Sequence, residues 1–542
     1  MPLLSGTMTV LIALGAVSLL NWSFDPITTI VPFLLMILAL SHSVQFVRRY
    51  LEEAKEGLDR KEVSQRVLEG LLPAVRASLF TDFLGFASLL LVPIGIARVT
   101  AILGMIGVSA MWLTVVAFLP SLMANLRLPT KQIPLFLYTP VTFLSKLSLR
   151  RPSFLPIACA FLLTGAVALW GVSKINIGEI EPGSSILRAD SLYNVSEREI
   201  NRSFGGANPY YILVAGEERN VLKRSDVLTA MDNLQNYLRK QISAVGYAIS
   251  LADYVKLLNF AWFGGDRRYF SIPPKDRTVA EYLLLLSYSS FPDDFAHLVD
   301  TYYRFANIKL DLKDCRGDTL RKVVAETEKY LKRNPPPKGV RFLYAGGSAG
   351  LLAATNEVIS HGLLVNFAVL SLLVYLRIVV ALRSLTGGLV LYVPLVFSIL
   401  VTFGMFGLAR IPFTVETLPV AAMGVGLGID YCIYIAVRIK EEIERVGMLE
   451  GVKKAILSSG QAVFFTGFIV AVGILSWVFS PIKYQAKLGA ALGSLLTINM
   501  LSSLILVPLF FIRLGKRLKL KARFPVERVK MAEEVQDAES VH

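Results

Sequence analysis

Apolar stretches of roughly 20 residues recur along the chain between short polar breaks, and each is long enough to cross a ~30 Å hydrocarbon core as a helix. The pattern predicts ten spans, at approximately 5–22, 27–48, 75–94, 97–122, 153–173, 361–382, 385–408, 415–438, 459–479 and 487–512. One long polar interruption, roughly 174–360, breaks the series and is large enough to fold around its own core. In it NPYYILVAG (208–216) reads as a strand, and SDVLTAMDNLQNYLRKQ (225–241) as an amphipathic helix with Ser225 expected at the N-cap. DTLRKVVAETEKYLKRN (318–334) is a second helix, ended by three prolines, and VRFLYAGG (340–347) a second strand. The expected fold class is a mainly α membrane protein, a polytopic helical bundle carrying one α/β domain of helices on a sheet.

Composition agrees with the pattern. Of 542 residues, 54% are hydrophobic and 18% charged, against about 25% charged in ordinary soluble domains. The net charge of +15 does not point to nucleic acid, because of where it sits. Lys and Arg cluster at 48–61, 127–151, around Arg377 and Arg383, at 438–454 and at 516–523, while the alternate loops 21–26, 95–98, 409–413 and 480–487 are nearly bare. That asymmetry is the positive-inside pattern. It predicts cytoplasmic termini and an extracytoplasmic 174–360, with contact to anionic headgroups secondary. Cys159 and Cys432 fall in spans and only Cys315 faces outward, so no intrachain disulfide is expected outside the bilayer. The first span lacks a basic leading region and reads as a retained span.

The chain also repeats itself. ALSHSVQFVRRYLEE (39–53) aligns without a gap on GIDYCIYIAVRIKEE (428–442), placing Gln45 on Tyr434, Arg49 on Arg438 and Glu52–Glu53 on Glu441–Glu442. The following spans match at Thr81 and Thr466, and the preceding spans open with LLSG (3–6) and SLTG (384–387). The expected organisation is an incomplete first-repeat bundle of four spans (1–126), a cytoplasmic linker (127–152), the first span of a second repeat (153–173), the extracytoplasmic domain (174–360), five further spans (361–514) and a charged cytoplasmic tail (515–542). The first copy opens at its third span, so this reading expects a fragment, or a second chain supplying the remainder.

A duplicated bundle, an α/β domain after the first span of a copy, and GVGLGIDY (424–431) followed by a basic-acidic loop together resemble the resistance–nodulation–division superfamily, and most closely its MMPL-type branch. The resemblance covers nearly the whole chain. It implies a non-enzymatic, proton-driven exporter of lipids or other hydrophobic compounds in the inner membrane, with the Asp of the motif in the proton relay and no cofactor. Asp430 and Tyr431 are the matching relay residues.

The residues support the same chemistry independently. A carboxyl at span depth costs about 2.5–3.5 kcal/mol on insertion scales and marks a functional site by default; in such surroundings a carboxyl can exchange protons near neutrality. Tyr434 lies one turn on from Asp430, and Gly424, Gly426 and Gly428 offer a GxxxG-type step for close helix approach. Ser458, Ser459 and Thr466 in the next span are candidate partners. In the first copy Ser41–His42 stand where Asp430–Tyr431 stand in the second, and MILAL (36–40) replaces the glycines. His42, which titrates near 6.5 unperturbed, and Asp82, one position past Thr81, could together replace the lost carboxylate. No Walker motif, zinc-ligand spacing or nucleophile elbow is present, which favours ion-driven transport over ATP hydrolysis or a membrane enzyme. Expected partners are protons, a membrane lipid or hydrophobic substrate, a second chain or a second copy, and no nucleic acid. The competing expectation is a non-transporting lipid sensor or assembly protein of the same fold.

Overall fold

The computed structural model describes residues 1–22, 25, 28–54, 59–126, 141–143, 154–289, 295–414 and 417–514. Most of the expected linker and all of the tail lie outside the described residues.

Where the sequence is apolar the chain forms long helices. The first group is α1 (Pro2–Leu19), α2 (Ile30–Glu53), α3 (Arg60–Ser88) and α4 (Gly95–Met111), the last running on through a π-helical stretch, Trp112–Phe118, to Asn125. α5 (Phe154–Val172) precedes the polar domain. That domain contains β1 (Asn208–Gly216), α6 (Ser225–Gln241), β2 (Val245–Ile249), β3 (Phe305–Leu312), α7 (Gly317–Arg333) and β4 (Val340–Gly346). The second group follows as α8 (Gly347–Leu382), α9 (Leu385–Leu408), α10 (Leu418–Val446), α11 (Met448–Phe479) and α12 (Lys483–Leu514). Among the described residues nine helices, α1–α5, α8, α9, α11 and α12, are long and apolar enough to cross a membrane. α10 lies inside the same bundle, against α3, α9 and α12.

One apolar core runs through both groups. It joins Leu34, Leu35 and Phe46 of α2 and Leu79 and Phe86 of α3 to Ile429 and Cys432 of α10 and Leu495 of α12. In lipid there is little hydrophobic drive between helices, so close approach through small residues decides which pairs meet. Gly426 faces the backbone of α3: a β-carbon there would lie 3.1 Å from the Thr81 carbonyl oxygen and 3.3 Å from the Asp82 α-carbon. Gly424 and Gly428 instead make room for Leu495 of α12 and Leu395 of α9. A second crossing seats α5 on α9, where β-carbons at Gly404 and Gly407 would lie 2.5 Å from the Ala168 carbonyl oxygen and 1.9 Å from that of Gly171.

The polar domain forms a four-stranded antiparallel sheet in the order β2-β3-β1-β4, the split βαβ arrangement. Tyr210, Ile212 and Val214 of β1 and Ile308 and Leu310 of β3 point into a separate core beneath α6 and α7. Two of these strands, β2 and β3, are absent from the sequence expectation. Ser225 is not the N-cap of α6. It is the first helical residue, its N–H donating to Asp276 Oδ1 (2.7 Å) and its hydroxyl to the Pro273 carbonyl (2.6 Å), so it anchors a neighbouring loop. The helix expected from 361 starts at Gly347, straight out of β4. Gly347 makes that corner at φ +76°, with the Pro209 carbonyl 2.7 Å from where a β-carbon would stand. Only glycine fits there without strain.

The stretch after α5 fastens this domain to the loops of the bundle. Gly178 N–H donates to the Phe413 carbonyl and Phe413 N–H to that of Asn176, both at 2.8 Å. Arg188 reaches the Ser480 carbonyl (2.6 Å) and Lys483 pairs with Glu181 (2.5 Å).

Two outcomes are expected. Gly407→Leu places a side chain against the Gly171 backbone, and overpacking of this kind costs about 1–3 kcal/mol; it lowers the unfolding temperature of the purified protein, whereas Gly165→Leu, where nothing lies within 4 Å of the added carbon, does not. Burial, reinforced by Glu197 and Asp314, pushes the Cys315 thiol up to about 12. Since the thiolate is the reactive form, a maleimide at pH 7 leaves Cys315 unmodified until the domain is unfolded, as read by mass spectrometry.

Candidate functional site

Helical periodicity puts the polar residues of three helices on facing surfaces. On α2 the buried positions Leu35, Leu38, Ala39, His42, Phe46 and Arg49 follow the three-and-four spacing of one stripe. On α3 Ser78 and Asp82, one turn apart, lie on the buried side. On α10 Asp430, Tyr434 and Arg438 succeed one another turn by turn.

These surfaces meet at His42. Its Nε2 lies 3.5 Å from Asp82 Oδ2 and 3.8 Å from Asp430 Oδ2, and its Nδ1 is 3.0 Å from the Tyr434 hydroxyl. All four side chains are buried, and ligand atoms of His42, Asp82 and Asp430 lie within 4.8 Å of one another. Among the described residues, His42 Nε2, both oxygens of Asp82 and Asp430 Oδ1 have no hydrogen-bond partner. The geometry links the tautomer to the charge. If Tyr434 O–H donates to Nδ1, a proton on Nε2 faces the two carboxyls; if Nδ1–H donates to Tyr434, the bare Nε2 lone pair faces them and calls for a proton or cation in between.

The other expected residues are distributed around this cluster. Tyr431 and Ser41 line, with Asp430, a small cavity of about 20 Å³ otherwise walled by apolar side chains of α2, α10, α11 and α12, enough for a water molecule. Thr466 directs its hydroxyl to the Ala462 and Val463 carbonyls of its own helix (2.8 and 3.1 Å). Ser459 lies in a π-helical turn, Ile456–Gly460, whose Ser458 accepts from Arg438 Nε at 3.2 Å.

Several residues escape sequence reasoning. Asn499 of α12 donates from its amide to the Gly428 carbonyl, and its oxygen accepts from Ser398 of α9 at 3.3 Å. Cys432 meets Ser503 at 3.0 Å. These bonds hold α10 from the side opposite α3. A lone Asn in the apolar run TINMLSSL (497–504) was the available signal. Two turns beyond His42, Arg49 pairs with Glu53 and crosses to Glu441, both at 2.8 Å. Glu441 also takes Arg438 (2.9 Å) and Arg445 (3.0 Å), and Arg438 takes Glu442 (3.0 Å). Arg48 donates to Gln461 of α11 at 2.6 Å. The two helix groups are thus joined by a charged network at the end of the bundle that the sequence reads as cytoplasmic.

The model of the MMPL family matches residues 1–127 and 189–531. Over 199 residues the chain is 26% identical to a membrane protein, MJ1562, of Methanocaldococcus jannaschii, covering 36% of this chain and 51% of that one. It is 26% identical over 159 residues to a protein of Mycobacterium tuberculosis named as a probable transport protein, MmpL6 (28% and 39% covered), and 27% identical over 173 residues to another so named, MmpL12 (31% and 14%). The matches span about half the length of MJ1562 and less of the other two.

In protein free of added ions, the two carboxyls favour the tautomer with Nε2–H facing them. Nitrogen-15 NMR of labelled His42 is expected to show a protonated Nε2 and an Nδ1 accepting a hydrogen bond, and Tyr434→Phe to shift the Nδ1 signal alone.

Proposed function

Because the chain belongs to the MMPL family, we propose that it is a proton-driven secondary transporter of the resistance–nodulation–division type, exporting lipids or other hydrophobic compounds. The observation that carries this reading is the enclosure of two carboxyls and an imidazole between helices of both groups, with polar atoms left unpartnered among the described residues. Intramembrane ionisable residues that face a bundle interior mark ion and proton pathways. Asp430 is the proton carrier of the second half, and His42 with Asp82 supplies from the first half what its missing Asp–Tyr pair does not.

The coupling follows from charge. With both carboxyls ionised, two like charges stand between α3 and α10 and only a neutral or singly charged imidazole separates them. Taking up a proton removes that repulsion, so each protonation state favours its own spacing of the two helices. Such a bistable contact is what a proton gradient can drive through alternating states. Gly426 against the Asp82 backbone makes the spacing tight enough for this to matter.

A duplicated origin is supported by the packing. In the 39–53 on 428–442 register, α2 corresponds to α10 and α3 to α11. The contact of α3 with α10 then has its counterpart in that of α2 with α11. The i,i+4 pair Arg49–Glu53 likewise has its counterpart in Arg438–Glu442. The charged network lies cytoplasmic and the split βαβ domain outside, where substrate leaving the membrane would meet it.

Export of a fluorescent lipid from proteoliposomes under an imposed pH gradient tests the proposal. Asp430→Asn is expected to abolish gradient-dependent export while the protein still inserts and elutes as a single species; Asp82→Asn and His42→Ala each lower it at least tenfold. Unimpaired export by Asp430→Asn would remove Asp430 from the relay, and export indifferent to the gradient would remove proton drive altogether.

A further inference from the structure

The proton reading uses His42, Asp82 and Asp430 one proton at a time, but their geometry fits something else as well. Two ligands each ~2.1 Å from a Zn²⁺ ion, at angles of about 110–130°, are separated by roughly 3.4–3.8 Å. His42 Nε2 stands 3.5 Å from Asp82 Oδ2 and 3.8 Å from Asp430 Oδ2. These separations are longer than a good hydrogen bond and match two ligands sharing one ion.

The donor set agrees. One imidazole and two carboxylates suit Zn²⁺ and similar divalent transition metals better than Na⁺ or Mg²⁺, which take oxygen ligands. Two ionised carboxylates and a neutral imidazole carry the charge that a divalent ion cancels, leaving a neutral site among apolar helices. The three residues are 0%, 2% and 4% exposed, one ligand atom from each lies within 4.8 Å of the others, and among the described residues His42 Nε2, both Asp82 oxygens and Asp430 Oδ1 have no hydrogen-bond partner. Three protein ligands leave the fourth position of a tetrahedral ion open to a water molecule. His42 also has the outer partner that metal-bound histidines use to fix their tautomer: Tyr434, 3.0 Å from Nδ1, accepts from Nδ1–H once Nε2 gives its lone pair to the metal.

We propose that His42, Asp82 and Asp430 form a binding site for one divalent transition-metal ion of the Zn²⁺ class, joining α2, α3 and α10. An ion there clamps α3 to α10 and occupies the atoms that would otherwise accept protons, so metal and proton exclude each other.

The test uses the purified full chain in detergent, stripped with chelator, equilibrated with Zn²⁺ and freed of unbound metal. Elemental analysis is expected to find about one Zn²⁺ per chain in the unaltered protein and in His297→Gln, which alters an exposed histidine of the polar domain. His42→Gln and Asp82→Asn bind at least tenfold more weakly, and His42→Cys, which restores a ligand, recovers binding. Bound Zn²⁺ moves the His42 proton from Nε2 to Nδ1 in the nitrogen-15 spectrum. No retained Zn²⁺, or equal retention in His42→Gln and Asp82→Asn, would overturn the site. If Asp82→Asn does not elute as a single species, the contrast between His42→Gln and His42→Cys decides. The transport reading is judged separately, by gradient-driven export in excess chelator, so either can fail while the other stands.

Discussion

Three ionisable side chains shut between apolar helices set the terms for everything packed around them. A single carboxyl at span depth costs about 2.5–3.5 kcal/mol, and here two share one pocket with an imidazole. The surrounding structure holds them there from two sides. Gly426 brings α10 against the backbone of α3, while Asn499 and Ser503 grip α10 from α12. Among the described residues both oxygens of Asp82 and one of Asp430 have no hydrogen-bond partner that would settle them permanently in one charge state. The cluster is positioned firmly and neutralised poorly. That combination suits a group meant to exchange its charge partner rather than one meant only to stabilise the bundle.

The charged end of the bundle follows the opposite rule. Arg49, Arg438 and Arg445 converge on Glu441, and Glu53 and Glu442 complete the set. Each carboxylate has a cation within reach and the network borders water, so no unpaired charge is enclosed. Arg49 belongs to α2 and Glu441 to α10. The two groups are therefore tied at this end while the cluster two turns away keeps its alternatives.

How far the sequence revealed this depends on the residue. Helices were legible because a bilayer demands long apolar runs, and Asp430 was legible because it interrupts one. His42 and Asp82 came from aligning the copies and from the isolation of a charge, but the meeting of His42 with Tyr434 at 3.0 Å was not legible, since spacing along one helix does not say which neighbour it faces. Thr466 shows the reverse: a hydroxyl in the right span that turns back on its own helix. β3 had a readable signal, with Ala306, Ile308, Leu310 and Leu312 alternating inward, yet β2 has only five residues, too few for periodicity to stand out. The early start of α8 was hidden because AGGSAGLLAATNE (345–357) looks like a glycine-rich loop.

That early start makes α8 a lever. A helix of 36 residues is about 54 Å long, and it leaves β4 without an intervening loop, so the sheet edge and the membrane helix turn as one piece. One of its contacts with the first group is Asn366, whose amide donates to the Ser88 carbonyl at the end of α3, at 2.5 Å; another is Arg377, over the Phe80 ring of the same helix. From that fulcrum to Gly346 is about 30 Å of helix, and a tilt of roughly 10° there carries the edge of the sheet about 5 Å. A small change of spacing at Asp82, six residues before Ser88 on the same helix, would reach the polar domain as a displacement the size of a side chain.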